Sequence, residues 1–512
     1  MGEHVTTPEP LIDIESLSKT FPGQVALNNV SMQILPGRIH ALVGQNGSGK
    51  STLIKILAGY HQPDPGARVS IRGKEVDIGS LSVEDRRHVH VMHQDLGLVP
   101  SLSIIENLAL GRGYETGFGG RINWRRESVR VERLLHEFDV HADPRTRVGE
   151  LPAAERSIVA LIRALQDWET DGDGAPGQGL DLRSVLVLDE PTASLPRPEV
   201  IRLFEAVRKV SRRGGGVVFV SHRLDEVFEL ADYVTVLRDG KVVASQPLAE
   251  LDQNRLIELI VGRAVDDLYA APPEPKSDVA LETVDLAGDA LVDLDMSVRS
   301  GEIVGIAGLV GSGRDEVASL LFGAKRSVRG SVVVGGKNVH NPREAIMGGM
   351  AFVPADRKKD GCIPEHTVRE NMMLPRLGPF GRWWINRRAE DREAMRLVEQ
   401  VDVRPGDPER RIVTLSGGNQ QKAVIARWMR TAPKVLVLDE PTQGVDVGAK
   451  AAIYELLATS AEGGTAVVMC SSDAEELAHV CDRVLVIRGG KVATELAGDT
   501  LSSDRIVQET LS

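Results

Sequence analysis

The sequence has few cysteines, no long apolar run and no basic leader, and each absence argues against a class of protein. Only three of the 512 residues are cysteines, Cys362, Cys470 and Cys481, and they form no CxxC pair. We therefore expect free thiols in a reducing compartment rather than a disulfide framework or a metal cluster. No stretch approaches the ~18 apolar residues of a membrane span. The amino-terminal MGEHVTTPEP lacks the segments of a signal peptide, so we expect a soluble chain that reaches any membrane through a partner.

Positive charge is also in deficit. The formal net charge is −12 at pH 7, and the sequence pI is about 5.6. A protein that wraps DNA or RNA needs a basic face, so we expect no nucleic-acid partner. Hydrophobic residues make up 42% and charged residues 26%, which is typical of a globular protein. A length of 512 residues allows two or more domains with their own cores.

One short segment, VLVLDEPT, occurs twice in the chain, at 185–192 and at 435–442. Each copy lies downstream of its own glycine-rich loop. The first loop, GQNGSGKST, covers 44–52, and the second, GLVGSGRDE, covers 308–316. Two copies of the same series of motifs predict two copies of one domain.

A third motif lies between loop and VLVLDEPT in each half, and it keeps the same distance from its loop. It reads LPAAE from Leu151 and LSGGN from Leu415, so the second half has the glycines that the first half lacks. The first half carries additional residues within 167–183, a stretch rich in Gly and Asp that reads as a surface loop. The first half therefore has the intact loop and an altered third motif, and the second half has an altered loop and the intact third motif. This complementarity indicates a working site that draws on both halves.

A Pro-rich, polar stretch, APPEPKSD, separates the halves and suits a linker. We place the first domain at 1–264, the linker at 265–278 and the second domain at 279–512. Within each half, apolar strands alternate with helical stretches. Continuous apolar strands of this kind predict an α/β fold, with a parallel sheet that helices cover on both faces.

The loop at 44–52 fits the pattern GxxxxGK[ST] between a strand and a helix. Its glycines let backbone N–H groups curl around phosphate, aided by the positive end of the helix dipole. We predict that Lys50 contacts the phosphates of a nucleotide and that Ser51 is a ligand of Mg²⁺. The predicted nucleotide-binding residues of this loop are Gly44, Gln45, Asn46, Gly47, Ser48, Gly49, Lys50, Ser51 and Thr52.

Four polar residues outside the loop complete the predicted chemistry. Asp189 ends an apolar strand, where a carboxylate can hold Mg²⁺ directly or through water. Glu190 beside it can orient or deprotonate the attacking water. Gln94 can sense the metal and the water, and His222, after another apolar strand, can contact the terminal phosphate. Taken singly, the acids also fit a solvated turn and the other two fit ordinary polar positions; their order along the chain favours catalysis.

GQNGSGKST, Gln94, VLVLDEP, His222 and LSGGNQQK together resemble the nucleotide-binding cassettes of ABC transporters, over nearly the whole chain. The resemblance implies two tandem P-loop NTPase domains. Each has a mainly parallel sheet core, a β-rich subdomain and a helical subdomain. In this family two cassettes pack head to tail, with ATP between the loop of one and the LSGGQ signature of the other. Phe21 matches the aromatic that stacks on adenine, although a lone Phe also fits a core position.

The family arrangement pairs the intact glycine-rich loop with the intact signature. It joins the first loop with Ser416, Gly417 and Gly418 of the second signature, and it implies ATP and Mg²⁺ as cofactors. The other pairing joins Arg314 and Asp315, which replace lysine and serine, with the first signature, where proline and alanine replace serine and glycine. We predict one hydrolytic site and one site that binds nucleotide slowly or only supports the structure.

The run PADRKKDG at 354–361 and the defective second loop resemble one subgroup, the ATP-binding subunits of bacterial monosaccharide importers of the ribose, galactose and xylose type. The implied partners are a membrane permease, expected as a homodimer, and an extracytoplasmic sugar-binding protein. The implied location is peripheral, on the cytoplasmic face of the bacterial inner membrane. Permease contacts are expected after Gln94 and after Asp356. Trp383 and Trp384 suggest a docking patch or packing within the helical subdomain.

Other twin-cassette proteins are alternatives. A ribosome-associated translation factor would have two intact sites and a long, charged, helical linker, and this chain has neither. A DNA-repair ATPase would have zinc-binding cysteine quartets, which three cysteines cannot supply. A purely structural subunit would not need the intact first loop. The sugar is selected by the partners, so its identity is not encoded here.

Overall fold

A computed structural model describes residues 9–22, 24–78, 88–92, 96–110, 112–165, 184–192, 195–264, 275–374 and 387–512. The chain divides into two compact units, Met1–Gly262 and Arg263–Ser512. Gln94, Trp383, Trp384 and the predicted loop at 167–183 lie outside the described residues. Within the described ranges, no helix combines the length and the apolar character that crossing a bilayer requires.

The first unit contains two sheets. Its strands are β1 (Ile12–Phe21), β2 (Gln24–Ile34), β3 (Ile39–Val43), β4 (Arg68–Ile71), β5 (Lys74–Glu75), β6 (Val89–Met92), β7 (Val185–Asp189), β8 (Gly216–Val220), β9 (Tyr233–Arg238) and β10 (Lys241–Pro247). The central sheet has the order β10-β9-β3-β8-β7-β6. All its neighbours pair in parallel except β10, which runs antiparallel to β9. The second sheet, β2-β1-β4-β5, is antiparallel.

Seven described helices accompany these sheets. They are α1 (Lys50–Leu57), α2 (Ile104–Ala109), α3 (Trp124–Glu137), α4 (Ala153–Leu165), α5 (Arg197–Arg212), α6 (Leu224–Leu230) and α7 (Gln253–Val261). Helices α2, α3 and α4 contact one another and form a helical subdomain.

The second unit repeats this arrangement. Its strands are β11 (Val279–Ala287), β12 (Met296–Arg299), β13 (Ile303–Gly308), β14 (Arg329–Val334), β15 (Lys337–Val339), β16 (Met350–Val353), β17 (Val435–Asp439), β18 (Ala466–Cys470), β19 (Arg483–Arg488) and β20 (Lys491–Ala497). The sheet orders are β12-β11-β14-β15 and β16-β17-β18-β13-β19-β20. They match those of the first unit strand for strand.

The described helices of the second unit are α8 (Arg314–Leu321), α9 (Pro342–Gly348), α10 (Val368–Met373), α11 (Arg387–Gln400), α12 (Gly417–Met429), α13 (Val447–Glu462), α14 (Ala474–Val480) and α15 (Ser503–Leu511). A π-helical turn covers Arg357–Gly361. Residues of α10, α11 and α12 share a separate apolar cluster, which is the core of the helical subdomain.

The central strands are apolar along their whole length because the sheet is covered on both faces. The first four residues of β7 and of β17 are fully buried. Burial of each such Val or Leu side chain contributes about 1.5–3 kcal/mol. The predicted α/β fold, with a mainly parallel core sheet, a β-rich part and a helical part in each half, is confirmed.

Candidate functional site

The loop between β3 and α1 packs so closely against its neighbours that two positions require glycine. A Cβ at Gly44 would lie 2.1 Å from the carbonyl oxygen of Leu237, and one at Gly49 would lie 2.6 Å from that of Ala26. Both glycines have positive φ, +151° and +106°. Side chains other than hydrogen are strained there. The loop is therefore fixed between β2 and β9.

The interior of this loop is suited to an anion. Lys50 Nζ donates to the carbonyl oxygens of Gly44 at 2.6 Å and Gln45 at 3.0 Å, which holds the ammonium group inside the loop. The buried Ser48 hydroxyl has no hydrogen-bond partner among the described protein atoms. A positive side chain, an orphaned hydroxyl and the N-terminus of α1 fit a phosphate group. Ser51 is exposed in the first turn of α1, where a Mg²⁺ ligand is expected.

The acidic pair follows β7 at the same edge of the sheet. Asp189 ends the strand, and Glu190 turns away from it with φ of +50°. The Glu190 N–H donates to the carbonyl oxygen of Val220, which ends β8. Glu190 Oε1 lies 3.1 Å from His222 Nδ1. This hydrogen bond lowers the pKa of Glu190 and raises the pKa of His222.

A buried glutamate that the sequence analysis missed supports this pair. Glu226 is fully buried, and its Oε2 accepts from Thr192 Oγ1 at 2.6 Å and from Ser221 Oγ at 3.1 Å. Arg223 lies 2.9 Å from its other oxygen. Glu226 therefore joins the turn after Glu190 to the turn that carries His222. Its recurrence as Glu476 in the second half was the available signal.

Phe21 ends β1 in the hairpin of β1 and β2. Ala26, whose carbonyl oxygen lies close to Gly49, belongs to the same hairpin. Its ring contacts His61 edge-on, with ring centroids 5.4 Å apart, and Lys19 Nζ lies 5.3 Å from the ring centre. The ring is half-buried. Its predicted contact with adenine stays a prediction.

The second loop has the same fold with different chemistry. Arg314, at the position of Lys50, is buried, and its Nη1 donates to Glu440 Oε1 at 2.5 Å. Ser472, at the position of His222, donates to the other oxygen of Glu440 at 3.2 Å. Burial, and then the charge of Glu440, raises the pKa of Asp439 to about 6. The cation of this loop is therefore bound to Glu440, the second residue of the acidic pair that follows β17.

The second signature begins α12 with close packing at both glycines. Ser416 caps the helix, and its Oγ accepts from Asn419 Nδ2 at 2.9 Å. A Cβ at Gly417 would lie 2.9 Å from the Gly444 carbonyl oxygen, and a Cβ at Gly418 would lie 2.5 Å from the Ala449 Cβ. These positions exclude larger residues and leave the start of α12 as bare backbone.

Arg357 lies against this signature, a position that no motif in the sequence predicts. Its Nη1 and Nη2 donate to the carbonyl oxygens of Gln443 at 2.6 Å and Gly444 at 3.3 Å. A Cβ at Gly417 would lie 2.4 Å from Arg357 Nη2. The guanidinium therefore connects the start of α12 with the segment after the second acidic pair. The only signal in the sequence is its place in PADRKKDG, a run that the family resemblance predicts to contact the permease.

The predicted residues are distributed over both units. The loop, Asp189, Glu190 and His222 follow β3, β7 and β8, which are neighbours in one parallel sheet. Ser416, Gly417 and Gly418 lie in the second unit. Of the predicted Mg²⁺ ligands, Ser51 and Asp189 belong to the described residues and Gln94 does not. Among the described residues, no group of three His, Cys, Asp or Glu side chains is arranged to hold a metal ion.

Comparison with known proteins gives matches over almost the full length. The model of a family described as "ABC transporter" matches residues 27–169 and 291–443. A putative ribose/galactose/methyl galactoside import ATP-binding protein of Agrobacterium fabrum is 40% identical, with 98% of each chain covered. The ribose import ATP-binding protein RbsA of Clostridium perfringens is 34% identical, with 99% of each chain covered. A crystal structure of a nucleotide-free ATP-binding cassette from an ABC transporter covers 50% of this chain and 100% of its own, with 22% identity and a TM-score of 0.40.

Proposed function

Since this chain belongs to the ABC transporter family, we propose that it is the ATP-hydrolysing subunit of a monosaccharide importer with one working ATP site. Relatives of 34–40% identity over the full length are import ATP-binding proteins for ribose or galactose, which supports an ATPase coupled to sugar transport. The proposed partners are a membrane permease, as a homodimer, and through it an extracytoplasmic sugar-binding protein. The proposed location is the cytoplasmic face of the inner membrane.

The working site combines the first loop with the second signature. The observation that carries this proposal is the asymmetry between the two loops. Lys50 is held by carbonyl oxygens of its own loop, whereas Arg314 is bound to the carboxylate of Glu440. The bare start of α12 at Gly417 supplies the N–H groups of a helix N-terminus, which favour anions.

The residues of the chain contribute mainly position and charge, which account for most of the catalysis of phosphoryl transfer. Lys50 neutralises developing negative charge. Glu190 accepts a hydrogen bond from the attacking water, and His222 fixes the orientation of Glu190. Ser51, Asp189 and Gln94 would hold Mg²⁺, which supplies further positive charge. ATP binding closes the two halves, and hydrolysis reopens them, which moves the permease.

The test compares the two cations. We expect Lys50→Ala to abolish ATPase activity, because the ammonium group that contacts phosphate is lost. We expect Arg314→Ala to retain most of the activity, because that side chain is bound to carboxylates of the second unit. Steady-state phosphate release by the purified chain measures both. Equal losses in the two variants would contradict a single working site.

A further inference from the structure

The second phosphate loop carries a carboxylate of its own. Asp315 follows Arg314 as Ser51 follows Lys50, so that a carboxylate replaces a hydroxyl. Its Oδ2 accepts a hydrogen bond from the backbone N–H of Gly311 at 2.5 Å. Its Oδ1 accepts from Arg314 Nη2 at 2.8 Å. One N–H of the loop and the cation of the loop are therefore directed at a carboxylate within the loop.

The defective signature of the first unit has a corresponding arrangement. Helix α4 begins at Ala153, and the N–H of the buried Ala154 donates to Glu199 Oε2 at 2.7 Å. Glu199 comes from the first turn of α5. In the second unit the same position of the repeat is Ala449, which lies against Gly418 with a methyl group only. At this position of the repeat, a carboxylate therefore occurs beside the defective signature and a methyl group beside the sound one.

We propose that Asp315 and Glu199 exclude nucleotide from the second composite site, since each accepts a hydrogen bond from a backbone N–H that a phosphate group would need. The inference rests on the proposed function, in which these two segments belong to one site. A loop or helix N-terminus binds phosphate because its N–H groups are otherwise unsatisfied. A carboxylate already in place satisfies the donor and repels the phosphate. The site then holds its own negative charge and needs no ligand.

The two halves of the chain provide the substitutions for a test. Asp315→Ser installs the residue of the first loop, and Glu199→Ala installs the residue beside the sound signature. The matched control is Asp504→Ser with Glu205→Ala, which changes the net charge equally at exposed positions in the same two units. The purified full-length chain is titrated with a non-hydrolysable ATP analogue and Mg²⁺, and the number of analogues bound per chain is measured by equilibrium dialysis.

We expect one analogue per chain for wild type and control, and a stoichiometry above one for the double variant. A double variant that still binds one analogue overturns the inference, as does a wild-type chain that binds two. A wild-type chain that binds none contradicts the proposed function itself, so that the two failures are distinguishable. Thermal melting reports whether the double variant is folded. If the double variant is unfolded, the single variant Asp315→Asn, which keeps the size of the side chain and removes its charge, replaces it. Asp315→Asn must then bind more analogues per chain than the control.

Discussion

Glu190 and His222, which follow β7 and β8, show how a single contact sets the charge of two side chains. Their hydrogen bond lowers the pKa of the carboxyl and raises the pKa of the imidazole. Each charged form stabilises the other. Glu190 therefore remains ionised and can accept a hydrogen bond from water, while His222 holds its orientation. In the second unit, Arg314 and Ser472 take the place of the imidazole as partners of Glu440.

The first prediction at this scale concerns Glu190. Glu190→Gln is expected to bind ATP and to turn over at least ~100-fold more slowly, a rise in the barrier of roughly 2.7 kcal/mol. The amide keeps the size of the side chain and loses the charge that orients the water. ATP binding and steady-state turnover are measured on the same preparation, with the exposed Glu205→Gln as control. Near-normal turnover would remove Glu190 from its proposed role.

The second prediction concerns pH. The folded-state pKa of His222 is raised above the value of the unfolded chain, about 6.5. The contribution of the pair to stability is therefore full below that pH and is lost as the pH rises through the raised pKa. We expect the difference in Tm between wild type and His222→Gln to be constant from about pH 5 to 6.5 and to shrink above. This difference in Tm is measured by thermal unfolding, monitored by circular dichroism, at each pH. A difference that grows with pH contradicts the pairing of Glu190 with His222.

At the scale of secondary-structure elements, parallel strands bring distant residues to one edge. Strands β3, β8 and β7 are neighbours, so that the residues after their carboxyl ends meet although they are far apart in the chain. The start of α12 is positioned differently, by contact with an arginine side chain. Arg357, from a π-helical turn, contacts the carbonyl oxygens of Gln443 and Gly444 and lies over Gly417.

We therefore expect Arg357→Ala to lower kcat for ATP by at least about tenfold, because the start of α12 loses the side chain that connects it with Gln443 and Gly444. A tenfold loss corresponds to a rise in the barrier of about 1.4 kcal/mol. Arg357 acts by positioning, so that the KM for ATP should change less than kcat. Arg357→Lys, which keeps one donor, should restore part of the activity. The exposed Arg396→Ala on α11 is the control. An unchanged kcat in Arg357→Ala would show that α12 is held without this contact.

At the scale of the whole molecule, the chain is a duplicated fold in which the two copies retain different motifs. Both units have the same sheet orders. The first retains the lysine loop and the Glu190–His222 pair, and the second retains the serine and glycines of the signature. Polar residues that serve the proposed site therefore belong to both units, and neither unit contains all of them.

This division leads to a prediction that spans both units. Ser416→Asp should reduce ATPase activity at least tenfold, since it places a negative charge where the γ-phosphate is proposed to bind. Aspartate is as good a helix cap as serine, so α12 is expected to remain folded. Pro152→Asp, which introduces the same residue at the equivalent position of the first signature, should leave the activity nearly unchanged. Activity is measured beside a melting curve for each variant. Similar activities in both variants would contradict the composite site.

Much of the fold and of the first loop could be predicted from the sequence. The strands around 39–43 and 185–189, the glycine loop and the order of the motifs depend on local composition and periodicity. Glu226 and Arg357 could not be assigned, because a buried glutamate and a loop arginine have many possible partners. The same holds for Glu199, whose acceptor role depends on the packing of α5 against α4.

By itself the sequence determined the duplication, the fold class and which half carries each intact motif, since these depend on residue types at short spacings. Only the tertiary structure decided which side chains are partners. Glu190 meets His222 from 32 positions away, and Arg314 meets Glu440 from 126 positions away. Contacts between such distant residues follow from sheet order and from which strand ends share an edge. Both are properties of the folded chain that no local pattern of residues specifies.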